Sequence, residues 1–341
     1  MKNITYILGA GASCKAMPLV SDMKQRMQIL LHLLNPKNTL NSLFSTIIND
    51  NYHNTQSLFD KYNTIVQAAN KHYTPDTYAK KLWLTGKTND LIIFKEFLNL
   101  YFIFEQDSSL IFIDGTEDHL PNLTVEESKI LWNKITTPID YRYDVFFATL
   151  LEGDADNLIL PSNINVISWN YDNQFELAYK EYTKFTKMHE IHNILGINTK
   201  YNSKRTNILK INGYCDNWDG DKEIEISFKV AIEKLLNNES FGDTIRFGWE
   251  KVKTNYDEVF KILSNTDILV IIGYSFPNFN RELDNKLFSH ILNPHNIEII
   301  IQVPEKEEFE KIKQRILLMN EYISRNSFTH FPDKDQFYVL L

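Results

Sequence analysis

The chain has 341 residues, is 43% hydrophobic and 23% charged, and carries a formal net charge of −8. Such a composition belongs to a folded protein of one large or two smaller domains, and its acidic balance argues against a broad nucleic-acid or anionic-membrane surface. No run approaches the ~18 apolar residues of a membrane span, and two cysteines cannot form a four-cysteine zinc ribbon.

Ile4–Leu8 reads as a first strand, with no signal-peptide layout ahead of it, which sets the expectation of a cytoplasmic protein with reduced cysteines. Cys14 is expected as a small packing residue. Val20–Leu34 then shows helical spacing through Met23, Met27, Leu30, Leu31 and Leu34. From there to Gly153 strand signals nearly vanish. Leu58–Asn70, Leu91–Phe104, Val125–Ile135 and Tyr143–Leu151 read as helices, and Phe94, Phe97, Tyr101, Phe102 and Phe104 as helix–helix core. Strand and helix alternate afterwards. Asn165–Trp169, Asn207–Ile211, Asp267–Ile272 and Glu298–Val303 are strands. Asn173–Thr186, Phe228–Asn237, Thr244–Leu263, Asn280–Leu292 and Lys306–Asn320 are helices, and Phe337–Leu341 is an expected edge strand. Strands separated by helices imply parallel pairing with right-handed crossovers. The expected fold is α/β with a parallel sheet, residues 1–22 and 154–341 forming the sheet domain and 23–153 a helical insertion after the first strand.

Three strand ends carry the chemistry, because ligands of parallel α/β sheets bind where such loops meet. Gly9-Ala10-Gly11-Ala12-Ser13 follows the first strand, with Pro18 downstream. Glycines allow close backbone approach to a pyrophosphate, yet the run is neither G-x-G-x-x-G nor a P-loop, and a ligand-free tight turn accounts for it equally. Asn170-Tyr171-Asp172 follows VISW. Asn and Asp there can orient a ribose, an amide or a water, or Asp172 can simply cap the next helix. Gly273-Tyr274-Ser275 follows DILVII, with Pro277 turning the chain. Ser275 is a candidate phosphate or ribose partner, or a member of a loop with purely local hydrogen bonds.

Together these loops resemble the sirtuin-like NAD-binding domains of bacterial anti-phage NAD hydrolases. The resemblance implies a Rossmann-like sheet of the sirtuin type in which NAD is consumed as substrate and no metal takes part. Gly9, Ala10, Gly11, Ala12, Ser13 and Pro18 would belong to the dinucleotide site, the glycine turn lining the pyrophosphate. Asn170 would position the nicotinamide ribose and the attacking water, and Asp172 would lie near the nicotinamide carboxamide. Gly273 and Ser275 would contact the adenosine side, under a loop following Gln302. An enzyme that destroys NAD has to be held off, so a homo-oligomer or a separately encoded sensor or ATPase partner is expected, with no membrane and no direct nucleic-acid contact.

One position departs from the family. Where relatives carry Lys-Leu-His-Gly with a histidine base, this chain has Lys210-Ile211-Asn212-Gly213. Asn cannot take up a proton at neutral pH. Asn212 either suffices to orient water against a reactive cation, or the chain binds NAD or ADP-ribose as a weak or inactive regulatory module. His189 and His192 would share one face if their segment is helical. They read as ordinary surface residues, with a substitute base or a metal pair as the other possibilities.

Overall fold

The computed structural model describes residues 1–37, 52–107, 139–154, 157–185, 187–216, 228–237, 244–250 and 256–340. The expected helix at Val125–Ile135 lies outside these residues. The chain divides into two compact units. Met1–Ser13, Asp140–Gly213 and Arg246–Leu341 form one, and Cys14–Ile139 with Tyr214–Ile245 form the other. The expected boundary after Gly153 does not coincide with this division. Helix Tyr141–Leu150 belongs to the sheet unit, and helix Phe228–Leu236 to the helical one.

The sheet unit contains six strands, β1 Ile4–Leu8, β2 Ile164–Ser168, β3 Asn207–Lys210, β4 Ile268–Ile272, β5 Glu298–Gln302 and β6 Phe328–Phe331. All pair in parallel, in the order β3-β2-β1-β4-β5-β6. This is a Rossmann-like arrangement, in which the order reverses between β1 and β4 and leaves a crevice at the strand ends. Every residue of β1 to β4 is buried, which is why these strands read as continuous β-branched runs rather than alternating ones. Leu8 is level with Ser168 on one side and Ile272 on the other, and Ser168 with Lys210. The chain therefore leaves four adjacent strands at one edge. On one face Ile7, Ile167, Leu269 and Ile299 pack with Ile262, Leu287 and Ile312, which come from helices Tyr256–Ser264, Arg281–Ser289 and Lys306–Met319. Burial of this kind contributes about 25 cal/mol per Å² of apolar surface and is the main force holding the sheet in register.

In the helical unit the aromatic helix runs over Thr88–Gln106, and Phe94, Phe97, Tyr101, Phe102 and Phe104 are all buried, as a helix–helix core requires. Arg26 and Glu105 are buried within it and pair through two hydrogen bonds of 2.9 and 2.8 Å. Helix Pro75–Leu84 was not anticipated. Its signal was present, since Thr74 accepts from the Thr77 backbone at 3.1 Å as N-cap and Pro75 opens the first turn. Cys14 is exposed rather than packed, whereas Cys215 is buried, with Gln106 Nε2 3.0 Å from its sulfur.

Three expected elements need correction. The edge strand is Phe328–Phe331; residues 337–340 form no strand. Phe337 is instead buried against Tyr143, with ring centroids 4.9 Å apart, and under the Arg142 guanidinium at 5.0 Å. Residues 244–250 are not helical, and the helix starts at Tyr256. Gly248 there lies so close to Trp169 that a Cβ would sit 2.8 Å from its ring. The helix after β2 covers only Gln174–Lys180. It ends where Thr183 Oγ1 turns back to the Lys180 carbonyl at 3.2 Å. No helix among the described residues is long and apolar enough to cross a membrane.

Candidate functional site

The loops after β1, β2 and β4 converge, and the backbone holds them there. Trp169 N–H donates to Leu8 O at 2.9 Å, Gly9 N–H to Ile272 O at 3.0 Å, and Gly11 N–H to Gly273 O at 3.1 Å. Ala10–Ser13 is a 3-10 turn, closed by Ala12 N–H to Gly9 O at 2.8 Å. A Cβ on Gly9 would lie 2.5 Å from Gly273 O, and one on Gly11 2.7 Å from Gly273 Cα. Gly273 itself has φ +63. The three glycines are thus fixed by the mutual approach of two loops across the switch point. Two of the turn's N–H groups are committed internally, so the turn offers a close-approach surface more than a cradle of donors. Ala10 is exposed and Gly11 half-buried. Pro18 is half-buried and belongs to the helical unit.

Ser13 is fully buried, and its hydroxyl is the hub of the site. Its oxygen lies 3.1 Å from Asp172 Oδ1, 3.2 Å from Asn170 Nδ2 and 3.2 Å from the Tyr143 hydroxyl. A serine has one proton. That proton goes to Asp172, so Asn170 and Tyr143 both donate to Ser13. Gln174 N–H adds a second bond to the same Asp172 Oδ1, at 3.1 Å. Ser13 therefore ties Asn170 and Asp172 together through its hydroxyl. Asp172 does not cap the helix as an N-cap residue; Asn173 holds that place, and Asp172 reaches Gln174 from one residue further out.

Burial pushes the Asp172 carboxyl up to about 6 against the pull of Lys210. Lys210 is itself buried at the end of β3 and donates to Asp172 O at 2.5 Å and to Glu176 Oε1 at 2.7 Å. Burial also raises Glu176, but Lys210 and His192 outweigh it and hold that carboxyl at about 2. His192 is buried, not a surface residue, and its Nε2 lies 3.4 Å from Glu176 Oε1. His189 is half-buried on the same helix, Met188–Leu195, and among the described residues no group of three His, Cys, Asp or Glu side chains could hold a metal.

Asn212 sits directly beyond β3, 6% exposed. Its Nδ2 donates to Trp169 O at 2.7 Å. A carbonyl only accepts, so this bond fixes which end of the amide is nitrogen. Oδ1 is then buried and has no hydrogen-bond partner among the described residues. An unmade bond of this kind costs about 1–3 kcal/mol and calls for an explanation. Nearby, Gly248 leaves space where a Cβ would stand 3.5 Å from that oxygen.

The β4 loop is stiffened from beneath. Tyr274 stacks on Trp169, centroids 4.9 Å apart and planes within 8°. Its hydroxyl donates to Asp284 at 2.9 Å and accepts from Asn280 Nδ2 at 3.1 Å. Phe276 is held at φ 53, an uncommon conformation for a bulky residue. Ser275 is exposed, and Arg315 donates to its carbonyl and, at 3.3 Å, to that of Phe276. Gln302 ends β5. Its amide holds the C-terminal segment through Asp333 O and Gln336 O, both at 2.7 Å, and Tyr338 N–H at 3.0 Å.

Sequence reasoning found the helix at 143–151 but assigned it to the helical insertion, and missed that it fastens the glycine turn. Asp140 caps Tyr141–Leu150 and binds the Arg142 guanidinium at 2.8 and 2.5 Å. Arg142 Nη2 in turn donates to Gly11 O at 3.1 Å and Ala12 O at 3.2 Å. The only local signal was D-x-R at a helix start, about which nothing indicates a partner roughly 130 residues earlier. No family model matches this chain, and no curated protein does.

Proposed function

We propose that this chain is an NAD hydrolase of sirtuin-like type, cleaving NAD to nicotinamide and ADP-ribose at the β1, β2 and β4 loop ends. The observation that carries the reading is the polarity of the buried polar cluster. Asn170 and Asn212 each donate one amide N–H into the protein. The Asn212 Oδ1 acceptor is left unpartnered among the described residues, at the same strand ends as the buried Asp172 carboxyl. Such a set suits ribose hydroxyls and water, and it favours the positive charge that grows on the ribose as neutral nicotinamide leaves. In this reading Asn170 orients ribose and water, and the unpartnered Asn212 oxygen accepts a hydrogen bond from a hydroxyl or a water. The glycine turn and Gly273 let the dinucleotide lie close to the backbone at the point where the strand order reverses. The protein acts in the cytoplasm, its biological role is NAD depletion in anti-phage defence, and control comes through self-association or a partner protein.

One observation favours a second reading. Asn212 carries no group able to accept a proton, and its amide is tethered to a backbone carbonyl. A module that binds NAD or ADP-ribose without turnover would satisfy that geometry. Incubating the pure protein with NAD, with and without the products of neighbouring genes, separates the two. Nicotinamide release supports the hydrolase. Calorimetric NAD binding with the dinucleotide left intact supports the binding module, and neither binding nor release removes both.

A further inference from the structure

The network around Ser13 closes on itself. The Tyr143 hydroxyl donates to Ser13, Ser13 to Asp172 Oδ1, and Gln174 N–H to that same oxygen. Gln174 Oε1 then accepts from Asp140 N–H at 2.8 Å, which returns the chain to the helix bearing Tyr143. All these side chains are buried. Because the one Ser13 proton is directed to Oδ1, the network has a single hydrogen-bond direction, and both described bonds to the carboxylate fall on one oxygen. Asp172 keeps 7% exposure.

We propose that Tyr143 and Ser13 form a one-way hydrogen-bond relay that makes Asp172 the proton acceptor of this site, the role Asn212 cannot fill. The proposal rests on the hydrolase reading for its reaction. As the ribose C1′–N bond breaks, its electron pair passes to the pyridinium nitrogen and neutral nicotinamide leaves. A water oxygen bonds C1′, and one water proton passes to Asp172 Oδ2 and then to solvent. Tyr143 and Ser13 are positioning residues here, since neither touches the reacting atoms. The groups facing Asp172 are Lys210 from β3, Glu176 from helix Gln174–Lys180 and Tyr143 from helix Tyr141–Leu150, with the Asp140–Arg142 pair beyond Tyr143. Lys210 holds the carboxylate charged, while burial and Glu176 oppose it. Ser13 adds a donor to the charged form, and Tyr143 strengthens that donor by polarising it.

Carboxyl NMR of protein labelled at aspartate, with Asp172→Asn giving the assignment, reads the relay without any substrate. Tyr143→Phe keeps the ring and removes the donor; its Asp172 midpoint is expected to rise by roughly half a pH unit, and that of Ser13→Ala by more. Tyr143→Phe alone decides the matter if Ser13→Ala does not fold. In nicotinamide release the acid limb of kcat should move up with the NMR midpoint while KM stays put. An unmoved midpoint in folded Tyr143→Phe overturns the relay. A moved midpoint with an unmoved acid limb overturns Asp172 as the acceptor. A moved midpoint in a protein that leaves NAD intact supports the relay and counts against the hydrolase reading alone.

Discussion

Asn212 tests how much a single amide can reveal. Asn212→Asp is nearly isosteric, but at neutral pH it turns a buried carboxylate toward the Trp169 carbonyl. Two acceptors would then face each other, at a cost of roughly 2–4 kcal/mol. Once protonated, the new carboxyl can donate as the amide did. Thermal unfolding should therefore show a gap to the parent that narrows as pH falls from 8 to 5. A gap independent of pH would mean that the Nδ2 bond to Trp169 is not made. Asp284 gives a second pH signature. Burial pushes its carboxyl up to about 8, although Tyr274 donates to it. Its folded value lies above its unfolded one, so the native state holds a proton that the unfolded chain releases. Stability is full below about pH 4 and falls as pH rises toward 8. Asp284→Asn should flatten that decline, read as melting temperature against pH, and an unchanged slope would place the titration elsewhere. At this scale the sequence exposed Asn170, Asp172 and Asn212, because each directly follows a strand. It could not expose Ser13 as a hub, since its partners are 130 to 159 residues away.

At the scale of elements, the glycine turn behaves as packing before it behaves as a binding loop. Gly11→Val looks from the sequence like a clean probe of nucleotide approach. The contact of 2.7 Å to Gly273 Cα changes that expectation. Even Gly11→Ala should push β1 and β4 loops apart and lower stability by about 1–3 kcal/mol, measured by denaturant unfolding. Unaltered stability in Gly11→Ala would show that the two loops do not close on one another as described. The core strands were legible because buried parallel strands are unbroken apolar runs. β6 was not, because its Phe-Thr-His-Phe sequence is only half-buried and short. The false edge strand at 337–341 failed for the converse reason. Its apolar residues pack as a plug, Phe337 against Tyr143 and Arg142, and not as a paired strand.

For the whole molecule, the alternation of strand and helix after residue 164 specified a parallel sheet, while the strand order came only from the structure. Alternation fixes direction but not which neighbour each strand chooses. The helical unit was legible as a block of helices. Its return through Tyr214–Ile245 was not, because nothing local distinguishes that stretch from the crossover it interrupts. The polar cluster in the sheet unit ties Asn170, Asp172 and Tyr143 to the Ser13 hydroxyl. Parallel assays of nicotinamide release from NAD by the parent and by Asn170→Ala, under the same activating conditions, bear on it most directly. Loss of the oriented amide should lower release by roughly 10²-fold or more while the melting temperature stays close to the parent's. Equal release by a folded Asn170→Ala would contradict the assignment of this cluster as the site of NAD cleavage.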